Sequence, residues 1–284
     1  LHLLRSRPPA RPSQHAMPGY LTKQESIAVT GVGNLIIRSL LDKQQFADPL
    51  GLAEGLGISS AAWPLFGLLW PSGAHLAARL ALRPVLAGER ILEVGCGLAL
   101  ASLVGHRRGA DVTASDCHPL AQAFLAENLR LNGLLPMKYR HGQWGAADLP
   151  GLGAALAPAP PADPLVQCLF DLIIGSDLLY ERDDGGHLAR FIGLHAAARA
   201  EIWIIDPDRG NRAAFNRQMD LRGFERSESA LSAGVLPDGV AALPYKGRLL
   251  RFLRTGPDRS AVNPAAIAAA APGPIARPAS PAAP

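Results

Sequence analysis

Through the middle of the chain, short apolar runs alternate with segments of helical spacing. Arg90–Val94, Asp111–Ser115, Lys138–His141, Phe170–Gly175 and Glu201–Asp206 read as strands. Leu98–His106, Pro119–Leu131, Gly186–Ala198 and Arg212–Arg222 read as helices. Such alternation builds βαβ units, so the expected fold is a doubly wound α/β sheet, mostly parallel, with helices on both faces. Arg248–Arg254 adds a later strand, and Ala28–Phe46 predicts a small hairpin and helix ahead of the core. Ser72–Leu82 reads as a helix leading to the first core strand, stopped by Pro84.

Composition narrows the class. Of 284 residues, 48% are apolar and 18% charged, as in a soluble globular protein. The net charge of +4 comes from scattered arginines, and only 6% of residues are aromatic, which argues against a nucleic-acid partner. The apolar stretch Gly57–Gly88 is broken by Pro64, Pro71, His75, Arg79, Arg83 and Pro84. It falls short of the about 20 apolar residues that span a bilayer, so no membrane partner is expected. Cys96, Cys117 and Cys168 show neither metal-type spacing nor a CxxC pair, which points to no metal and to the cytoplasm. Residues 1–16, which precede the first methionine (Met17), are expected to be disordered or outside the native start. The Ala/Pro/Gly-rich stretch 145–164 reads as a surface insert, and 255–284 as a disordered tail.

The chemistry concentrates in Ile91-Leu92-Glu93-Val94-Gly95-Cys96-Gly97-Leu98-Ala99-Leu100, a buried strand that ends in a glycine turn opening a helix. Gly95 and Gly97 permit backbone angles closed to other residues and clear Cβ atoms from a ligand's path. In open α/β sheets, ligands bind beyond the carboxyl ends of the strands. A dinucleotide fingerprint requires G-x-G-x-x-G, yet Leu100 stands at its third glycine. The pattern E-x-G-x-G-x-G fits Glu93, Gly95 and Gly97, with Ala99 at the last position. Asp116 ends the next strand about one βα unit later, where a carboxylate can accept hydrogen bonds from ribose hydroxyls, or cap the helix that starts near Pro119.

These residues resemble the class I, seven-strand S-adenosylmethionine-dependent methyltransferases. More narrowly, they resemble the methyltransferase-like group of eukaryotic protein-lysine methyltransferases and proteins once labelled nicotinamide methyltransferases. The resemblance covers Phe66–Arg254, which leaves 17–65 as an N-terminal extension. It rests on Trp70-Pro71-Ser72-Gly73, Glu93-Val94-Gly95-Cys96-Gly97, Gln143-Trp144 and Gly175-Ser176-Asp177-Leu178-Leu179-Tyr180-Glu181. It implies S-adenosylmethionine as cofactor. Trp70 would lie beside its methionine end, Glu93, Gly95, Cys96 and Gly97 would form its loop, and Asp116 would bind the ribose. Trp144 would pack near the adenine, with Ser176 at the end of the fourth strand. Asp177 and Tyr180, of the family's Asp-x-x-Tyr block, would face the acceptor.

Each of these residues also has a plainer reading. Trp70, Trp144 and Tyr180 suit a core, Cys96 a buried filler, His118 a local turn, and Asn128 and Asn132 a helix end. Asp206-Pro207-Asp208-Arg209-Gly210 is a turn by chemistry, with Asp206 near the same sheet edge. Asp177 follows an apolar strand, where packing does not explain a carboxylate. The acceptor implied is a nitrogen of a protein side chain, lysine first, or else of a small nicotinamide-like molecule. In that mechanism Asp177 orients an incoming ammonium, whose proton leaves to water or through Tyr180. A nicotinamide-dependent oxidoreductase and a non-catalytic cofactor-binding protein are the more distant alternatives. The sequence sets no oligomeric state.

Overall fold

The computed structural model describes residues 20–29, 31–142, 144, 164–231 and 245–256. Its core is one seven-stranded sheet. In chain order the elements are β1 (Thr22–Ile27), β2 (Leu35–Leu40), the single turn α1 (Leu52–Gly55), α2 (Pro71–Leu82), β3 (Arg90–Val94), α3 (Leu100–Arg107), β4 (Asp111–Asp116) and α4 (Ala121–Leu131). Then follow β5 (Lys138–His141), β6 (Phe170–Ser176), α5 (His187–His195), β7 (Ala196–Asp206), α6 (Arg212–Asp220), β8 (Glu225–Leu231) and β9 (Gly247–Thr255). The spatial order is β5-β4-β3-β6-β7-β9-β8. Neighbours from β5 to β7 run parallel, whereas β9 is antiparallel to both β7 and β8. The expected doubly wound, mostly parallel α/β sheet is borne out.

Successive strand residues feed opposite faces, and this alternation builds two cores. Ile91, Leu172, Ile174, Trp203 and Ile205 pack with α2, α3 and α4. Leu92, Ile173, Ile202 and Ile204 pack with α5 and α6. Strand order reverses between β4 and β6, the two neighbours of β3. A crevice opens there at the carboxyl ends of the strands.

Two elements depart from the periodicity. The helix expected over Gly186–Ala198 stops at His195, and Ala196 begins β7. Alanine is the strongest helix former, but tertiary pairing overrides that preference here: Ala196 pairs with Phe170, Arg199 with Thr255 and Ala200 with Arg254. Strand β8, ERSESAL, has an exposed polar surface and no apolar run, so the pattern does not announce it; it exists as the partner of β9. The expectations for 1–16 and for most of 145–164 and 255–284 fall outside the described residues, although Thr255 closes β9. Among the described residues, no helix is long and apolar enough to cross a membrane.

The N-terminal hairpin expected within Ala28–Phe46 forms as β1–β2 with its first strand ahead of that range, and among the described residues no helix lies within it; Leu35, Ile37 and Leu40 bury into the α2–α4 core. Asn128 and Asn132 are more than helix-end residues. Asn128 Oδ1 accepts from the Arg38 N–H at 2.7 Å, and its Nδ2 donates to the Arg38 carbonyl at 3.3 Å. Asn132 does the same for Ile36, at 2.8 Å in both directions. Two amides one helical turn apart thus take the place of a third strand along the free edge of β2. Asn128→Ala should lower stability by about 1–3 kcal/mol in urea unfolding. It should also speed hydrogen exchange at the Arg38 amide; an unchanged exchange rate there would refute this role.

Candidate active site

One pocket lies at the strand-order reversal. Trp70, Glu93, Gly95, Cys96, Gly97, Asp116, Trp144, Ser176, Asp177 and Tyr180, the residues singled out from the sequence, all line it. Trp70 caps the start of α2, and Glu93 stands on β3 ahead of its glycine loop. Asp116 and Ser176 are the last residues of β4 and β6. Gln143, the partner of Trp144 in its sequence block, is outside the described residues.

The glycine loop folds as its composition demands. Gly95, Gly97 and Ala99 have φ of 58°, 51° and 57°, in the left-handed region. A Cβ at Gly97 would lie 2.7 Å from the Phe66 carbonyl oxygen, and one at Gly95 would lie 2.5 Å from Leu178 and 3.2 Å from Trp144. Ala99, at the place of a third glycine, holds its angle as the residue that opens α3, against a cost of about 1–2 kcal/mol.

Buried carboxylates hold this loop. Asp116 accepts from the Gly97 N–H and the His118 N–H, both at 2.8 Å, and so joins the β3 loop to the β4 loop. Burial raises its pKa, and the N–H donors work against that rise. Asp116 does not cap α4, whose N-cap is Leu120; its carboxylate organises the turn after β4 and lines the pocket. Glu93 accepts from the backbone N–H of Ser102 at 2.8 Å and from the Ser102 hydroxyl. Burial pushes its pKa up to about 7, against those two hydrogen bonds.

At the opposite wall, Asp177 takes φ of 58° while its N–H donates to the Ile205 carbonyl at 2.9 Å. Its carboxylate meets the Arg209 guanidinium at 3.1 Å and the Ser72 hydroxyl at 3.4 Å. Ser72 shares a 2.9 Å hydrogen bond with the Tyr245 hydroxyl, and that ring packs 4.4 Å from buried His75. Burial raises the Asp177 pKa, and Arg209 opposes the rise. Burial and nearby acidic groups push the Tyr180 phenol well above its ordinary value.

Arg209, Ser72 and Tyr245 were not singled out in the sequence. Ser72 stands inside the Trp70-Pro71-Ser72-Gly73 block and Arg209 inside the Asp-Pro-Asp-Arg-Gly turn, where local chemistry favours only Asp206. Asp206 is buried and accepts from the Asp208 N–H at 3.0 Å, so it shapes the turn, and Arg209 enters the pocket. His118 is more than a local turn. It lines the pocket and stacks on Phe66 at 3.6 Å between ring centres, and burial pulls its pKa down to about 3.

The chain is similar to named methyltransferases. It is 27% identical to the electron transfer flavoprotein beta subunit lysine methyltransferase of Danio rerio, over 64% of this chain and 62% of that protein. It is 30% identical to the histone-arginine methyltransferase METTL23 of Xenopus laevis, over 48% of this chain and 54% of that protein. The chain thus spans less than two thirds of either relative. A methyltransferase structure from Pyrococcus furiosus aligns at a TM-score of 0.47 and 15% identity, covering 66% of this chain and 83% of that one. No family model matches the chain. The sequence resemblance to the protein-lysine methyltransferase group is borne out by these relatives.

Glu93 carries a test of the buried electrostatics. Its folded pKa, about 7, lies above the ordinary 4.5. Between those values the folded state holds a proton that the unfolded state has lost, so stability falls as pH rises through this window. Full ionisation costs on the order of 3 kcal/mol. Glu93→Gln keeps an acceptor for Ser102 and should gain stability relative to wild type between pH 5 and pH 8 in urea unfolding. A pH-independent difference between the two proteins would contradict the assignment.

Proposed function

We propose that this protein is an S-adenosylmethionine-dependent methyltransferase acting on a nitrogen of a protein side chain, lysine first. The observation that carries the reading is convergence: residues from five separate segments meet in one pocket at the strand-order reversal. The pocket's chemistry fits this cofactor. Glu93, Asp116 and Asp177 line it, and its only cation among the described residues, Arg209, sits beside Asp177 and not at the glycine loop. Acidic walls suit a sulfonium and an amine, whereas a pyrophosphate would meet three carboxylates. The named relatives, one acting on lysine and one on arginine, favour a protein acceptor over a nicotinamide-like one. The unpaired Cys96, Cys117 and Cys168 suit a reducing compartment, so we place the protein in the cytoplasm.

When bound, S-adenosylmethionine supplies a methyl group already activated on sulfur. Trp70, Gly95, Cys96, Gly97, Asp116, Trp144 and Ser176 would hold it, with Glu93 fixing the loop from behind. The remaining work of the protein is alignment and exclusion of water. A lysine nitrogen must shed a proton before it presents a lone pair, since its ordinary pKa is about 10.4. Asp177 favours the charged amine, so it collects and orients the ammonium and does not deprotonate it. Tyr180 stays a protonated phenol at neutral pH and is no base there. The proton therefore leaves to water, and desolvation in the apolar crevice promotes its loss.

Calorimetric titration tests the assignment. S-adenosylmethionine should bind while NADH does not, and Asp116→Ala should weaken binding by about tenfold or more. Asp177→Asn should bind the cofactor as wild type does, yet lose most incorporation of labelled methyl into lysate protein. Full turnover in Asp177→Asn would remove its role, and well-folded protein that ignores S-adenosylmethionine would remove the function.

A further inference from the structure

The Asp177 carboxylate and the face of Trp70 already hold a cation supplied by the chain itself. The Arg209 guanidinium lies 3.1 Å from Asp177 Oδ1 and 3.2 Å from Oδ2. The same group sits 5.7 Å from the centre of the Trp70 ring. An acid and an aromatic face together form a seat for a positive charge. We propose that Arg209 is a placeholder in this seat, and that the acceptor enters as a cationic side chain, an ammonium or guanidinium, by displacing it. The inference rests on the methyltransferase reading and narrows its acceptor to groups that arrive charged.

Three features separate a placeholder from a fixed ion pair. The first is asymmetry: the Asp177 side chain is 9% exposed and that of Arg209 is 42% exposed, so Arg209 can return to water while Asp177 cannot. The second is support for the acid without Arg209. The Ser72 hydroxyl contacts the Asp177 carboxylate and is itself held by Tyr245, and the Asp177 backbone is tied to Ile205. The seat therefore keeps its shape when Arg209 leaves. The third is the loop that carries Arg209. Asp208 and Gly210, on either side of it, both have positive φ, at 64° and 102°. Asp208 is anchored to Arg212 at 2.8 Å, so the swing is confined to Arg209. A second cavity shares Tyr180, Leu178, Trp144 and Cys117 with the first and opens towards Arg182, Asp183 and Asp184, which leaves a route for an incoming side chain.

The placeholder lowers apparent acceptor affinity by the fraction of time it occupies the seat. An NMR titration with n-butylammonium, and with neutral 1-pentanol as control, reads this directly. Arg209→Ala and Arg209→Met (which keeps an apolar stem over Trp70) should each bind n-butylammonium about tenfold more tightly than wild type. Affinity for 1-pentanol should stay unchanged. Adding Asp177→Asn to Arg209→Ala should abolish the gain. Equal n-butylammonium affinity in wild type and both Arg209 variants, or a gain that survives Asp177→Asn, would overturn the proposal. S-adenosylmethionine is titrated into the same samples. Cofactor binding without the gain in amine affinity overturns the placeholder alone, whereas loss of cofactor binding in wild type overturns the function.

Discussion

The Asp116 carboxylate is the joint on which the site depends. It receives one N–H from the loop after β3 and one from its own loop after β4. Parallel strands that share a ladder still leave their carboxyl-end loops free to diverge. Two charge-assisted hydrogen bonds to a single acid fix the spacing of these two loops. Gly97 tolerates that closeness because it lacks a Cβ, which would strike the Phe66 carbonyl oxygen. Phe66 in turn stacks on His118, the other residue whose N–H Asp116 holds. The wall of the pocket therefore closes as a ring of short contacts.

The arrangement concentrates negative charge where water is scarce. Glu93, Asp116, Asp177 and Asp206 gather at the ends of four adjacent strands, and burial raises the pKa of each. Without a ligand these acids oppose one another and destabilise the fold near neutral pH. A cationic ligand or acceptor relieves that opposition, so local instability and binding have a common cause. Arg209 supplies partial relief in the free protein. This accounts for a half-exposed arginine lying against a nearly buried acid at this end of the pocket.

Sequence order and spatial order diverge most at the end of the sheet. Strand β9 enters between β7 and β8 and runs against both. That reversal places Tyr245, just ahead of β9, beside Ser72 of α2, 173 residues away in sequence. The network Asp177–Ser72–Tyr245 thus draws on the beginning, middle and end of the described chain. No local pattern announces it, because hydroxyl pairs have no periodicity of their own.

The strands from β3 to β6 and the helices after β3 and β4 were legible in the sequence, and the ten residues it marks line one pocket. Each is written locally: strand-length apolar runs force burial on both faces, and a glycine turn after a buried acid has few other uses. What tertiary structure alone decided lies where long-range pairing overrides local preference or where local preference is weak. The alanines after His195 joined a strand against their helix preference, because Ala196 pairs with Phe170 of β6 and Ala200 with Arg254 of β9. The polar β8 formed only as an edge partner. Asn128 and Asn132 became a substitute strand because β2 had an open edge. Arg209 reads as an ordinary turn residue until the ends of β6 and β7 come together. Local steric and hydrophobic rules determined the frame and the loop. Long-range pairing of polar groups, which depends on what the fold leaves unsatisfied, decided the acceptor end of the site.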